Sequence, residues 1–189
     1  MHKMKRLTLY DDEIEEIKKI ASSASHVIEW GAGESTKIFD EMHQIIKVFS
    51  IESDLMWINK LKKEKLKKVS FIYKDIGNKG GNWGCPVDNK KRHLWPNYSN
   101  CIHELEIKPN LALIDGRFRV SCAANLYLSN TNPDIYLLVH DYFREEYKRI
   151  EDIWHMEKKI NTLAIFSKRK QNKENVARDM IKQFEYDHS

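Results

Sequence analysis

The stretch HVIEWGAGEST, residues 26–36, runs from a short apolar segment through two glycines into residues that favour helix. A brief apolar run closed by glycine marks a buried strand, so the stretch reads as strand, tight turn and helix. Gly31 and Gly33 would let backbone approach a ligand closely, and the amides of a helix's first turn offer donors there. A dinucleotide fingerprint reads G-x-G-x-x-G, and here the third position is Thr36, which weakens a nicotinamide reading. Glu29, two residues before Gly31, adds a carboxylate at the strand end. It suits a cationic ligand better than a pyrophosphate, whose charge it would repel.

Outward from that centre, strands and helices alternate. An amphipathic helix over Asp11 to Ser23 precedes it within an N-terminal stretch of residues 1–25, with Ile14, Ile17, Ile20 and Ala21 at helical spacing. After it come a second strand, KVFSIESD, and a helix from Leu55 to Lys67 with Leu55, Ile58, Leu61 and Leu66 facing inward. VSFIYKDIG is the third strand. Residues 77–98 hold four glycines, two prolines and two tryptophans without a period, and read as an ordered loop over a site. A short helix over Ser99 to Leu105 leads to the strand LALIDGRFR and the helix VSCAANLYLSN. DIYLLVHDYF is the fifth strand, followed by a helix from Glu145 to Trp154, a hairpin of HMEKK and TLAIFSK, and a polar C-terminal helix from Lys173 to Phe184 within residues 171–189.

Such alternation implies a parallel sheet covered on both faces, with ligands beyond the carboxyl ends of its strands. Gly31, Glu52, Asp75, Asp115 and the pair His140-Asp141 all fall at such ends and would converge on one rim.

The 189 residues suit one domain, 1–189. The three cysteines are odd in number and have no C-x-x-C pair, which argues against a disulfide framework or a zinc ribbon. No leader-like segment and no apolar stretch of about 20 residues is present, so the expected place is the cytoplasm, away from membranes. The net charge of +4 is spread over helices and tails, with Lys60 to Lys68 and Lys168 to Lys173 read as solvated faces, so nucleic acid is not the expected partner.

Three of these features carry a resemblance. EWGAG, residues 29–33, resembles the E/D-x-G-x-G first motif of class I S-adenosylmethionine-dependent methyltransferases. The resemblance implies that Glu29, the turn Gly31-Ala32-Gly33 and the helix start at Ser35 and Thr36 hold the methionine part of the cofactor. It implies that Glu52, with Ser53, grips the ribose hydroxyls, that Asp75 and Ile76 lie near adenine, and that Asp115 lines the cofactor as well as the acceptor. A narrower resemblance covers most of the chain: EWGAGEST, IESD, DIG with NWGCPV, DGRFRV and HDYF are similar, in order, to motifs of a little-characterised group of bacterial methyltransferase-like proteins. Trp30, Glu34 and His140 depart from that pattern. The implied fold is Rossmann-like α/β: a mostly parallel seven-stranded sheet in the order 3-2-1-4-5-7-6, the last strand antiparallel, with helices on both faces. Each residue also has a structural reading, the glycines as a bare turn and Glu52 as a helix cap.

On the acceptor side, Asp115, His140 and Asp141 are the candidate catalytic residues. Asp115 and Asp141 could share a hard cation such as Mg²⁺, although an imidazole at His140 prefers softer metals. His140 or Asp141 could instead serve as a base without metal, or the group could be structural. Arg117 and Arg119 would point the same way from an extended chain and could bind a carboxylate or phosphate, or could pair with a neighbouring acid. Trp83, Trp95 and Tyr98 wall the pocket or anchor the loop, and Tyr142 joins the acceptor side. The expectation is O-methylation of a small anionic or glycan-like acceptor, with a homodimer as the candidate assembly. The rivals are a non-catalytic cofactor- or partner-binding module, an NAD-dependent oxidoreductase and an RNA methyltransferase.

Overall fold

The computed structural model describes residues 9–78, 80, 84–106, 108–129 and 132–188. Its strands are β1 (His26–Trp30), β2 (Lys47–Glu52), β3 (Val69–Tyr73), β4 (Leu111–Ile114), β5 (Tyr136–Val139), β6 (Trp154–Ile160) and β7 (Leu163–Lys168). They form one sheet in the order β3-β2-β1-β4-β5-β7-β6. The first five run parallel, and β7 lies antiparallel to both β5 and β6. Order and direction are those the resemblance implies. The helices are α1 (Asp11–Ala21), α2 (Glu34–Glu41), α3 (Leu55–Lys62), α4 (Pro96–Asn100), α5 (Arg119–Ser129) and α6 (Glu174–Phe184). Among the described residues no helix is long and apolar enough to cross a membrane.

Successive side chains of a strand point to opposite faces, so the apolar runs of β4 and β5 feed two cores. Leu111 and Leu113 pack with Ile17 and Ala21 of α1, Val27 and Phe39 on one face. Ala112 and Ile114 pack on the other with Trp30, residues of α5, and Ala177, Met180 and Phe184 of α6. The polar C-terminal helix thus has one buried stripe. At the open edge, β6 alternates little and carries Lys158 and Lys159 beside a register shift, features that discourage pairing with another chain.

Several elements differ from the sequence reading. α3 stops at Lys62, and Lys65 takes a left-handed φ of 57°, which ends any helical continuation. Leu55, expected to face inward, is 49% exposed on the helix's first turn, while Ile58 and Leu61 supply the buried face. The expected helix from Glu145 is a 3₁₀ segment, Glu145–Asp152, and Trp154 instead begins β6, fully buried, its Nε1 donating to the Ala123 carbonyl. The helix expected over Ser99 to Leu105 is α4 followed by a 3₁₀ turn, Cys101–Glu104. β5 ends at Val139, because Asp141 adopts φ 54° and turns the chain.

Candidate functional site

The turn after β1 is shaped by contact with the turn after β4. Gly31 has φ 96°, and a Cβ there would lie 2.7 Å from the Gly116 nitrogen. A Cβ on Gly116 would in turn strike the Tyr98 hydroxyl, which accepts a hydrogen bond from the Arg117 backbone. At Gly33 the situation is the opposite: an added Cβ would meet nothing within 4 Å. The turn is therefore closed against the protein at its first glycine and open at its second.

Beneath this turn lies Glu29. Its carboxylate accepts from Thr36 Oγ1 at 2.5 Å, Ser50 Oγ at 2.7 Å and Ser35 Oγ at 2.8 Å, and Thr36 Oγ1 accepts from the Gly33 nitrogen at 2.8 Å. Burial pushes the Glu29 carboxyl up from 4.5 to about 7, against the pull of those three hydroxyls. The resemblance gives Glu29, Ser35 and Thr36 to the cofactor; in the structure their side chains are buried and bonded to one another, so they shape the turn from below.

Glu52 stands beside the same turn. Its Oε2 accepts from the Ala32 nitrogen at 3.0 Å, while Oε1 accepts from Ser53 N at 2.6 Å and Asp54 N at 2.8 Å. Trp57, which the sequence reading missed, fixes the other side of Ala32 by donating Nε1–H to its carbonyl at 2.7 Å. Asp75, at the end of β3, accepts from Gly77 N at 2.8 Å and pairs with Lys91 at 2.5 Å. Ile76, expected near adenine, is instead wholly buried in the core, and its carbonyl receives Nε1–H of Trp95. Trp95 and Tyr98 are both buried and anchor the loop to the core. Trp83 lies outside the described residues.

The ends of β4 and β5 hold the third group. His140 is 3% exposed, with Nδ1 at 2.9 Å from Asp115 Oδ1 and Nε2 at 3.4 Å from Glu13 Oε2. Burial disfavours its charged form, but the hydrogen bond and charge of Asp115, with Asp141 and Glu13, raise its pKa above the usual value. Burial would likewise raise Asp115, yet His140 and Arg119 hold it below its ordinary value.

Glu13 comes from α1, at the far end of the sequence. It is fully buried and accepts from Tyr10 N, Thr162 N and Thr162 Oγ1 at 2.9, 2.8 and 2.9 Å. The sequence holds one clue to it: Glu13, Ile17 and Ala21 recur every four residues and form the buried stripe of α1.

Arg117, Phe118 and Arg119 are not extended, since Phe118 has φ 55° and Arg119 begins α5. The expectation that both arginines point one way for that reason therefore fails. Arg119 is a rim clasp: its guanidinium donates to the carbonyls of His140, Gly116 and Asp115, and Nη2 stands 3.4 Å from a carboxylate oxygen of both Asp115 and Asp141. Ligand atoms of Asp115, His140 and Asp141 do lie within 4.8 Å of one another, a spacing a metal could use. A fixed guanidinium already bridging the two carboxylates repels a second cation there, so the donor set does not fit Mg²⁺. Tyr142, read from the sequence as part of the acceptor side, packs inward. It is buried, its hydroxyl donates to Glu151 Oε1 at 2.9 Å, and its ring packs edge-on against Phe166.

No family model and no curated protein matches the chain. Among solved structures it is similar to a methyltransferase-like protein from Silicibacter pomeroyi, with 28% identity and a TM-score of 0.85 over 96% of this chain and 97% of that one. An rRNA methylase from Streptococcus thermophilus shares the fold at 11% identity and a TM-score of 0.54, over 83% of this chain and 94% of that one. So does a Streptococcus mutans protein in complex with SAH, at 13% identity and a TM-score of 0.54, over 82% and 97%. The architecture is the Rossmann-like fold of methyltransferases.

Proposed function

We propose that this protein is an S-adenosylmethionine-dependent methyltransferase acting on an oxygen of a small anionic or glycan-like acceptor. The observation that carries the reading is the hydrogen bond between Glu52 and the amide of Ala32, which sets a carboxylate against the open side of the glycine turn at the sheet's carboxyl rim. The residues fit the methyl donor: Gly33 leaves room that any side chain would narrow, and Glu52 holds a carboxylate oxygen, Oε2, at the turn, where a ribose hydroxyl would donate to it. Asp75 closes the same rim at β3. When bound, S-adenosylmethionine supplies a methyl group activated by its sulfonium.

The chain's own task is then alignment, exclusion of water and removal of one proton. Asp115 is more open than Asp75 or Asp141, its side chain 36% exposed, and is assigned the proton. A hydroxyl oxygen becomes strongly acidic as it gains a methyl group. Asp115 therefore suffices as a sink although His140 and Arg119 hold its pKa low, and its exposed side hands the proton on to water. His140, enclosed between Asp115 and Glu13, acts through Asp115 as a positioning residue.

Calorimetry with S-adenosylhomocysteine tests the reading. Glu52→Ala is expected to weaken binding by about 1–3 kcal/mol through lost charge-assisted hydrogen bonds, a factor of roughly 5–150. Unchanged affinity removes Glu52 from the ribose, and no affinity in the unaltered protein removes the cofactor.

A further inference from the structure

Arg119 is neutralised by Asp115 and Asp141, but two other guanidinium groups near the same rim are not. Arg117, two residues beyond Asp115, is 9% exposed, and its partner among the described residues is the thiol of Cys85, with Nη1 to Sγ at 3.2 Å. A thiol is a weak acceptor for one of five guanidinium donors. Arg144, three residues beyond Asp141, makes no ion pair among the described residues, and its guanidinium lies 5.7 Å from the ring centre of Tyr147.

Tyr147 is the third element. It is 1% exposed, and its hydroxyl has no hydrogen-bond partner among the described residues. A buried hydroxyl left in that state has lost its bond to water without a replacement, and it calls for a partner from outside the chain. The Arg119 guanidinium lies 5.4 Å from the same ring, which ties Tyr147 to the Asp115–Asp141 rim. The charges of Arg119, Arg144 and Arg117 all reach the phenol, opposing the rise that burial imposes on its pKa.

We propose that Arg117, Arg144 and Tyr147 form a subsite for an oxyanion group, carboxylate or phosphate, carried by the acceptor molecule. The inference rests on the methyl-transfer reading for calling the bound molecule an acceptor. Its chemistry is independent of that reading: two guanidinium forks grip an oxyanion in charge-assisted pairs, and the phenol supplies a hydrogen bond that it does not make to any described residue. The subsite adjoins the acid that takes the proton, so an anion held here would orient a hydroxyl of the same molecule toward Asp115.

The test is an NMR titration of the full chain with inorganic phosphate and, separately, with acetate, alongside calorimetry with S-adenosylhomocysteine. Saturable binding of at least one anion is expected, the tighter one naming the group. Arg117→Gln and Arg144→Gln should each weaken it tenfold or more. Arg144 is half-buried, so its variant folds even if the Arg117 variant does not. Tyr147→Phe should weaken anion binding several-fold while leaving the melting temperature unchanged or raised, since no bond to a described residue is lost. Saturable binding by neither anion, survival of binding in Arg144→Gln, or a clear drop in the melting temperature of Tyr147→Phe overturns the subsite. Cofactor affinity is read separately: its absence in the unaltered protein defeats the methyl-transfer reading, whereas its presence without anion binding defeats the subsite alone.

Discussion

A methyl group added at Gly31 would press on the Gly116 backbone, and one added at Gly33 would enter open space. Gly31→Ala must therefore strain a left-handed φ and push two turns apart, at a cost of at least about 2 kcal/mol in a denaturant melt. Gly33→Val should change stability by less than about 1 kcal/mol, as surface substitutions usually do, yet abolish S-adenosylhomocysteine binding in calorimetry. Glu29 shows its character through pH. Its carboxyl is raised from 4.5 to about 7, so the unfolded chain gives up the proton first, and stability falls as pH rises between those values. The loss amounts to at most about 3 kcal/mol, and Glu29→Gln should flatten that part of a stability-versus-pH curve. The sequence made Glu29 visible as an acid before glycine. Its inward aim was not visible, because Ser50, one of its three hydroxyl partners, belongs to another strand.

Helix α1 illustrates what a single element adds. Glu13→Ala leaves the Tyr10 and Thr162 donors without their acceptor, and should cost about 2–4 kcal/mol in a thermal or denaturant melt. Glu13→Gln keeps one of the two acceptor oxygens, enough for Thr162 but not also for Tyr10, and removes a negative charge 3.4 Å from His140, so the His140 titration followed by NMR should move down. Because the folded pKa of His140 is raised above 6.5, its contribution to stability is full below that value and fades as pH rises through the folded pKa. In Glu13→Gln that contribution shrinks. The 3₁₀ segment reads as an α-helix for a reason its residues carry. Tyr147, Ile150 and Ile153 are buried at intervals of three, the period of a 3₁₀ turn, and their apolar character alone does not separate that from 3.6. The sequence carries α3 too far because Lys63 to Lys67 have good helix propensity, and nothing local marks Lys65 as left-handed.

Across the whole molecule, alternation of strand and helix was enough to forecast that Gly31, Glu52, Asp75 and Asp115 would meet at one rim, since a parallel sheet places all its carboxyl ends together. It could not forecast contacts that arrive from covering elements, such as Glu13 from α1 or Tyr98 at the crossing of two turns. The burial of Ile76 and Tyr142 was equally out of reach, because it depends on what packs over a strand end. The sheet also predicts a gradient of stability. In hydrogen exchange, the amides of β1, β4 and β5, buried on both faces, should be the last to exchange, and those of the edge strands β3 and β6 the first.

β1 is flanked by β2 on one side and β4 on the other. During synthesis the first of these neighbours is complete once Glu52 has left the ribosome, whereas the second waits for Ile114. In that interval a nascent chain carries an unpaired, apolar strand edge, open to chaperones and to other nascent chains alike. Codon changes that slow translation between residues 77 and 98 would lengthen that exposure without altering a single residue of the finished protein.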